Sequence, residues 1–412
     1  MARASFAYVI FYAAIAAYAP FLQPYYLSLG ISLGDIGALV ALTSCVALIG
    51  SPIWGALHDR FPSSRLLIPV AAVIASAGGM GLGSVGATPL LAVCAAGWAL
   101  GMSGIGPMMD VRVLDMLGSD RTRYARVRVW GSISFMILTP AIGFLLHQHY
   151  QGMFAFMIPG ILGGGLASVL LPGRSPEKRG VSLMRAPGRV LRHRPIALYL
   201  LAALVGWIAI SAQNPFFSIY LGQLGGSSDQ VGWAWSLQSS MEIPTMFFFP
   251  LLARRVGTGR LIVVGMFILF VRMAANVAFT NPNVLVGFCL LQGVGYGLLL
   301  IGGITFVSQQ APRGTAATAQ GILNAVTFST SSIIGAGLGG QVAGLLSIRA
   351  LYAIAACLAA IAIGLLALTV LPVAAKAPAE IPPAGPPGSP APVPPAATTP
   401  VLPDRVAAPD EA

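Results

Sequence analysis

The stretch from Asp110 to Phe135, DVRVLDMLGSDRTRYARVRVWGSISF, joins two apolar segments and sets a carboxylate and a guanidinium where little else in the chain is charged. Gly118 and Ser119 read as the tip of a helical hairpin, and position 119 lies midway between 110 and 128, so Asp110 and Arg128 stand level on antiparallel helices. At roughly 1.5 Å of rise per residue, both lie about 13 Å inside the tip, deep enough for unpaired charges to be costly. Helical spacing puts Arg128, Ser132 and Phe135 on one face, and Asp110, Gly106 and Ser103 on the other. A polar stripe with small neighbours suggests a cavity wall. The competing reading is that Asp110 and Arg112 merely open a solvated loop.

Composition excludes a soluble globular chain: 56% of the 412 residues are hydrophobic and only 8% charged, with a mean hydropathy of +0.82. The chain reads as a polytopic membrane protein. Its net charge of +11 invites a nucleic-acid reading, but what matters is where the cations fall relative to the spans. Cys45, Cys94, Cys289 and Cys357 all sit in apolar runs, so they read as packing residues, with no disulfide framework and no metal site implied. The first apolar run, Ser5 to Tyr25, lacks a short h-region and a small-residue cleavage site and reads as the first span.

Apolar runs near the roughly 20 residues needed to cross a bilayer predict twelve helices: 5–27, 35–57, 66–85, 89–110, 124–146, 153–171, 197–220, 230–252, 261–279, 284–308, 317–343 and 350–371. With the N-terminus inside, and counting Arg126 and Arg128 at the inner end of the fifth span with the loop before it, every Lys and Arg falls on the inward side except Arg349 outside and Arg272 in mid-span. This bias places both termini in the cytoplasm and accounts for the basic charge without nucleic acid. The segment 172–195, PGRSPEKRGVSLMRAPGRVLRHRP, carries seven cations and divides the helices six and six. A weak internal repeat supports the division. SLGDIGALVALTSCV from Ser32 resembles SSDQVGWAWSLQSSM from Ser227, and the offset of 195 places Gly37 on Gly232, Ser44 on Ser239 and Arg60 on Arg255. The expected organisation is an all-α membrane protein of two pseudo-symmetric six-helix bundles, 1–171 and 196–372, joined by the basic linker 172–195 and followed by a tail, 373–412. That tail holds 12 prolines in its 40 residues and is expected to be disordered.

After the second span the chain reads Gly55-Ala-Leu-His-Asp59-Arg60-Phe-Pro-Ser-Ser-Arg65. This resembles the signature loop of the major facilitator superfamily, with Pro62 in place of the second glycine and the closing basic pair thinned to Arg65. The resemblance implies a conformational loop of Gly55, Asp59, Arg60 and Arg65, in which Gly55 allows close helix approach. YARVRVWGS, with an acidic residue 18 positions before Arg128, resembles the branch of oligosaccharide:proton symporters that contains the lactose and phenylpropionate permeases. By that resemblance Asp110 and Arg128 bind substrate. Where that branch has helix 10 His and Glu and a helix 11 Lys, this chain has Gln292, Gly295 and Phe328, so galactoside recognition and that proton relay are not implied.

Glu242 and Arg272 lie at equal distances from Gly257, which predicts that they too are level. Two readings stand, a structural salt bridge or a part in proton coupling, the latter supported by the local matches SSMEI and FVRM to the same branch; Asp110 is the other candidate coupling group. Glu242 shares a face with Gln238, Trp235 and Thr245. Further candidate substrate contacts are Ser132, Tyr18, Gln213, Asn214, Gln238, Gln292 and Asn324, with Tyr25, Tyr296 and Gln320 behind them; singly, each also fits an interhelical hydrogen bond. His147 and His149 read as a polar interfacial turn, not a metal site.

The expectation is a monomeric secondary transporter in the cytoplasmic membrane, not an enzyme. It moves a small polar or anionic solute (an aromatic acid, a sugar or a nucleoside) by alternating access with a proton as coupling ion and no cofactor. The alternatives are an exporter of amphiphilic compounds and a non-transporting assembly or sensor protein. No nucleotide-binding glycine loop is present to drive a pump.

Overall fold

The computed structural model describes residues 1–61, 64–86, 88–117, 122–171, 187–312 and 315–376. The expected hairpin tip at Gly118 and Ser119, most of the linker and nearly all of the tail lie outside them. The described residues form twelve long helices and no strand. They are α1 (Ala2–Ser28, interrupted near Ala19), α2 (Leu33–Arg60), α3 (Leu67–Ser84), α4 (Thr88–Leu117), α5 (Thr122–Leu146) and α6 (Tyr150–Leu170). The second set is α7 (Arg194–Gln223), α8 (Ser228–Val256), α9 (Thr258–Ala278), α10 (Pro282–Gln310), α11 (Thr318–Leu345) and α12 (Ile348–Lys376).

Eleven of these helices are long and apolar enough to cross a membrane. The exception is α8, 29 residues long but carrying Asp229, Gln230, Gln238, Glu242, Arg254 and Arg255. Its low hydropathy follows from its position between α5 and α10, where one face meets a polar cavity instead of lipid. The helix α4 also differs from expectation, running past position 110 to Leu117. Arg112 is therefore fully buried within it and donates to the Ser64 carbonyl, which overturns the reading of Asp110 and Arg112 as the start of a solvated loop.

The packing repeats with the sequence. In the first half α1 packs on α5, and α2 and α3 on α4; in the second, α7 packs on α11, and α8 and α9 on α10. Each pair recurs six helices later. The turn after α1 places Gly30 at φ +80°, and the turn after α7 places Gly225 at φ +85°, a region that disfavours side chains. Ser32 then caps α2 through the Asp35 N–H, and Ser227 caps α8 in a reciprocal capping box with Gln230. All four residues obey the offset of 195 read from the sequence.

Two seams join the halves, α2 against α11 and α5 against α8. A methyl group on Gly37 would lie 2.4 Å from the Ala336 carbonyl oxygen, and one on Gly232 2.6 Å from that of Thr139, so both seams close to backbone contact. Hydrogen bonds bridge the same zones: Ser44 Oγ donates to Ser332 Oγ at 2.8 Å, and Ser236 Oγ to the Met136 carbonyl at 2.6 Å. All of these lie in the helix halves remote from the N-terminus. At the other end of α2 and α11 a methyl on Gly55 or Gly321 would meet nothing within 4 Å. Gly55 thus makes no close helix approach, contrary to expectation, because the halves part toward the end that carries the N-terminus.

Candidate central solute site

Between the halves lies a cavity of about 330 Å³, at the small end of ligand-site volumes of about 300–1,000 Å³. The first half contributes Tyr12, Ile15 and Ala19 from α1, and Arg128, Ser132 and Phe135 from α5. The second contributes Asn214 from α7, Tyr296 from α10, and from α8 Trp235, Gln238, Ser239, Glu242, Ile243 and Met246. The α8 side chains at 235, 238, 239, 242 and 246 recur at three- and four-residue spacing, the signature of one helix face.

Arg128 and Glu242 are the cationic and acidic side chains on this wall, one from each half. The guanidinium is seated on aromatic rings, its Cζ 4.2 Å from the Tyr12 centroid and 5.3 Å from that of Tyr8. It also donates to the Tyr12 hydroxyl. Such stacking fixes a planar cation at a stabilisation of about 0.5–2 kcal/mol per ring. The Tyr8 hydroxyl donates to the Asp110 carboxylate, and Tyr124 faces the same carboxylate. Asp110 and Arg128 are thus joined through the Tyr8 ring, and no direct ion pair links them among the described residues. Asp110 sits behind the cation and is absent from the cavity wall, which departs from the expectation of a direct substrate ligand.

The other expected residues divide cleanly. Ser132, Asn214, Gln238 and Glu242 line the cavity together with Trp235 and Tyr296. Tyr18 instead borders a separate cavity of about 200 Å³ with Gln23, Thr43 and Trp98, and its ring packs edge-on to Trp98 at 5.0 Å. Gln213 and Gln292 are buried away from the cavity, and Asn324 is exposed outside it. Gln320 bonds to α10 through the Ile304 carbonyl and Ser308, and Tyr25 bonds to the Leu82 carbonyl.

The expected pairing of Glu242 with Arg272 is not formed. Arg272 is buried within the second half, donating to Gln213 Oε1 at 3.0 Å and lying over the Phe217 ring at 4.6 Å. Equal depth was a matter of helix length; facing was a matter of helix rotation, which turns Arg272 toward α7 and away from α8.

In the signature loop, Arg60 lies 6.0 Å from the Phe61 centroid, and Asp59 and Arg65 are exposed at the open end. Pro62 is outside the described residues. His147 and Gln148 form a tight turn at φ +43° and +70°, and the Gln148 N–H donates to Ser228 on α8. No cluster of metal-ligating side chains occurs among the described residues.

Tyr8 and Tyr12 are the residues that the sequence reading missed. Their i, i+4 spacing on α1 was the available signal, but aromatic pairs at that spacing are common in any membrane helix.

A cavity enclosed by two related helical halves, lined by charges and amides and open at one end, defines a membrane solute transporter. A model of the MFS_1 like family matches residues 1–354, most of the chain, and the protein belongs to that family. Maltose permease of Geobacillus stearothermophilus is 26% identical over 293 residues, covering 71% of this chain and 74% of the relative. YegT of Escherichia coli K12, provisionally named a nucleoside transporter, is 24% identical over 333 residues, covering 76% and 77% of the two chains. Among solved structures, a nucleoside transporter, NupG, superposes with a TM-score of 0.80 at 14% identity, covering 89% of this chain and 98% of NupG. That likeness establishes the shared major facilitator fold.

Proposed function

We propose that the protein carries a small hydroxylated solute of the sugar or nucleoside class across the cytoplasmic membrane, coupled to protons. The observation that carries this reading is the cavity wall itself: a fixed guanidinium from one half faces a carboxylate from the other, among amides, hydroxyls and aromatic faces. Hydroxyl-rich solutes match alternating donors and acceptors, while Trp235, Tyr12 and Phe135 offer ring faces to a pyranose or a nucleobase. Glu242 shares the wall with Arg128, so the site presents both signs of charge, and a neutral polar solute fits better than the anionic one that Arg128 alone would favour. The names of maltose permease and YegT support the same two classes.

In this reading the single chain works as a monomer. The halves 1–171 and 196–372 rock about the α2–α11 and α5–α8 seams, exposing the cavity first at one end and then at the other. The Lys and Arg bias assigns the open end, with both termini, to the cytoplasm. Glu242, on the cavity wall and in reach of a bound solute, is the proton-exchanging group. Asp110 positions Arg128 through Tyr8, and Arg272 takes no part in the relay.

The test is uptake by proteoliposomes of labelled uridine, adenosine, maltose and an aromatic acid, with and without an inwardly acidifying pH gradient. One sugar or nucleoside is expected to accumulate only with the gradient. The Glu242→Gln variant is expected to lose accumulation while still exchanging internal for external solute. Gradient-driven accumulation at the wild-type level by Glu242→Gln removes Glu242 from the coupling step, and uptake of the aromatic acid alone overturns the solute class.

A further inference from the structure

Between positions 196 and 372 the chain has two acids, Asp229 and Glu242, both on α8. The helices α7, α9, α10 and α12 contain none. Arg272 is nevertheless buried among α7, α9, α10 and α12 at 1% exposure. Its Nη1 donates to Gln213 Oε1 and its Nη2 makes a long contact of 3.9 Å to the Cys289 sulfur, leaving Nε without an acceptor. The helices packed around this guanidinium hold no counter-charge, a state that folded proteins avoid.

The surroundings are rich in donors that also lack partners. One turn along α9 is Asn276, whose side-chain amide is unbonded; Gln213 Nε2 is unbonded; and the Tyr352 hydroxyl lies against the guanidinium with no acceptor for its own O–H. All three residues are wholly buried. Tyr220 closes the group, its hydroxyl donating to the Asn276 carbonyl and its ring lying 5.3 Å from that of Tyr352. Four unbonded donors, Arg272 Nε, Gln213 Nε2, Asn276 Nδ2 and the Tyr352 hydroxyl, stand against one unbonded amide oxygen in the same cluster, Asn276 Oδ1, and the Asn276 amide is free to present either end. Water can accept some of these hydrogen bonds but cannot offset the charge.

We infer that the Arg272, Gln213, Asn276 and Tyr352 cluster binds one small monovalent anion, a halide such as chloride, that holds α7, α9 and α12 together within the second half. The site is separate from the solute cavity. The ion supplies the counter-charge that the four helices lack and accepts from Arg272 Nε, the two amides and the phenol. With the Asn276 amide turned to present its nitrogen, this buried shell offers donors alone and selects a bare spherical anion over a protonated or bulky one.

The experiment uses the full chain in detergent, moved into sodium gluconate and then titrated with sodium chloride or sodium bromide at constant ionic strength, with thermal unfolding as the readout. The unfolding midpoint is expected to rise saturably with either halide, as for any ligand that binds only the folded state. Losing one hydrogen bond to the ion, in Tyr352→Phe or Asn276→Ala, is expected to weaken the apparent halide affinity by about 10- to 100-fold. Arg272→Gln is expected to abolish the response and to be no less stable than the wild type in gluconate, since it removes the charge that required the ion. A wild-type midpoint that is the same in gluconate and halide overturns the inference. So does a halide response that Tyr352→Phe leaves unchanged, a result that needs no folded Arg272→Gln protein.

Discussion

Arg128→Ala is expected to lower the initial rate of solute uptake by about 10²- to 10³-fold, the equivalent of about 3–4 kcal/mol, close to what two hydrogen bonds from a charged donor to the solute supply at roughly 1.5–3 kcal/mol each. The size of the effect follows from how the side chain is held. Its guanidinium rests on the Tyr8 and Tyr12 rings and faces Glu242 across the cavity. Removing it takes away a fixed donor fork for solute hydroxyls and leaves the carboxylate without its counter-charge. Arg128→Lys keeps the charge but neither the planar fork nor the ring stacking, and is expected to lose about 10- to 100-fold. Tracer uptake normalised to the amount of protein in the membrane decides it. An Ala variant that transports within about threefold of the wild type contradicts a direct role for Arg128.

Joining α2 to α11 by a disulfide is expected to stop transport outright and reversibly. The Ser44 and Ser332 hydroxyls lie 2.8 Å apart across the closed end, and the neighbouring Gly37 and Gly340 hold the two backbones in contact. With Ser44→Cys and Ser332→Cys in a chain whose four native cysteines are replaced, oxidation is expected to reduce uptake by at least about tenfold, because the closed end must open once per cycle. Reduction restores it. If the bond forms and uptake continues, this seam does not open during transport.

Much of the architecture was legible because a bilayer leaves few solutions. Span lengths, the bias of Lys and Arg, and the 195-residue offset were enough for twelve helices in two related halves, and the offset reappears in the Gly30 and Gly225 turns and the Ser32 and Ser227 caps. The candidate site was legible in residue type but not in azimuth. Counting from a hairpin tip predicts a depth for Asp110, Arg128, Glu242 and Arg272. It does not set which way each helix is turned.

Neighbouring residues show how sharply rotation sorts function. Asn214 lines the cavity, while Gln213, a residue earlier on α7, is buried against Arg272. Tyr8 and Tyr12 escaped notice because aromatic residues are ordinary in membrane helices, and only their approach to Arg128 from a different helix gives them a role. The helix α8 shows the converse: the low hydropathy that weakens its reading as a span comes from the polar face that builds the cavity.

The central claim is that solute binds in the cavity shared by the two halves, and labelling of one wall position tests it most directly. Gln238 projects from α8 into that space. With Gln238→Cys as the single thiol of the chain, a small maleimide is expected to react from the open end, and a transported sugar or nucleoside is expected to slow that reaction in proportion to its occupancy. A solute that the protein transports but that leaves the labelling rate at this position unchanged, at concentrations that saturate uptake, contradicts the account.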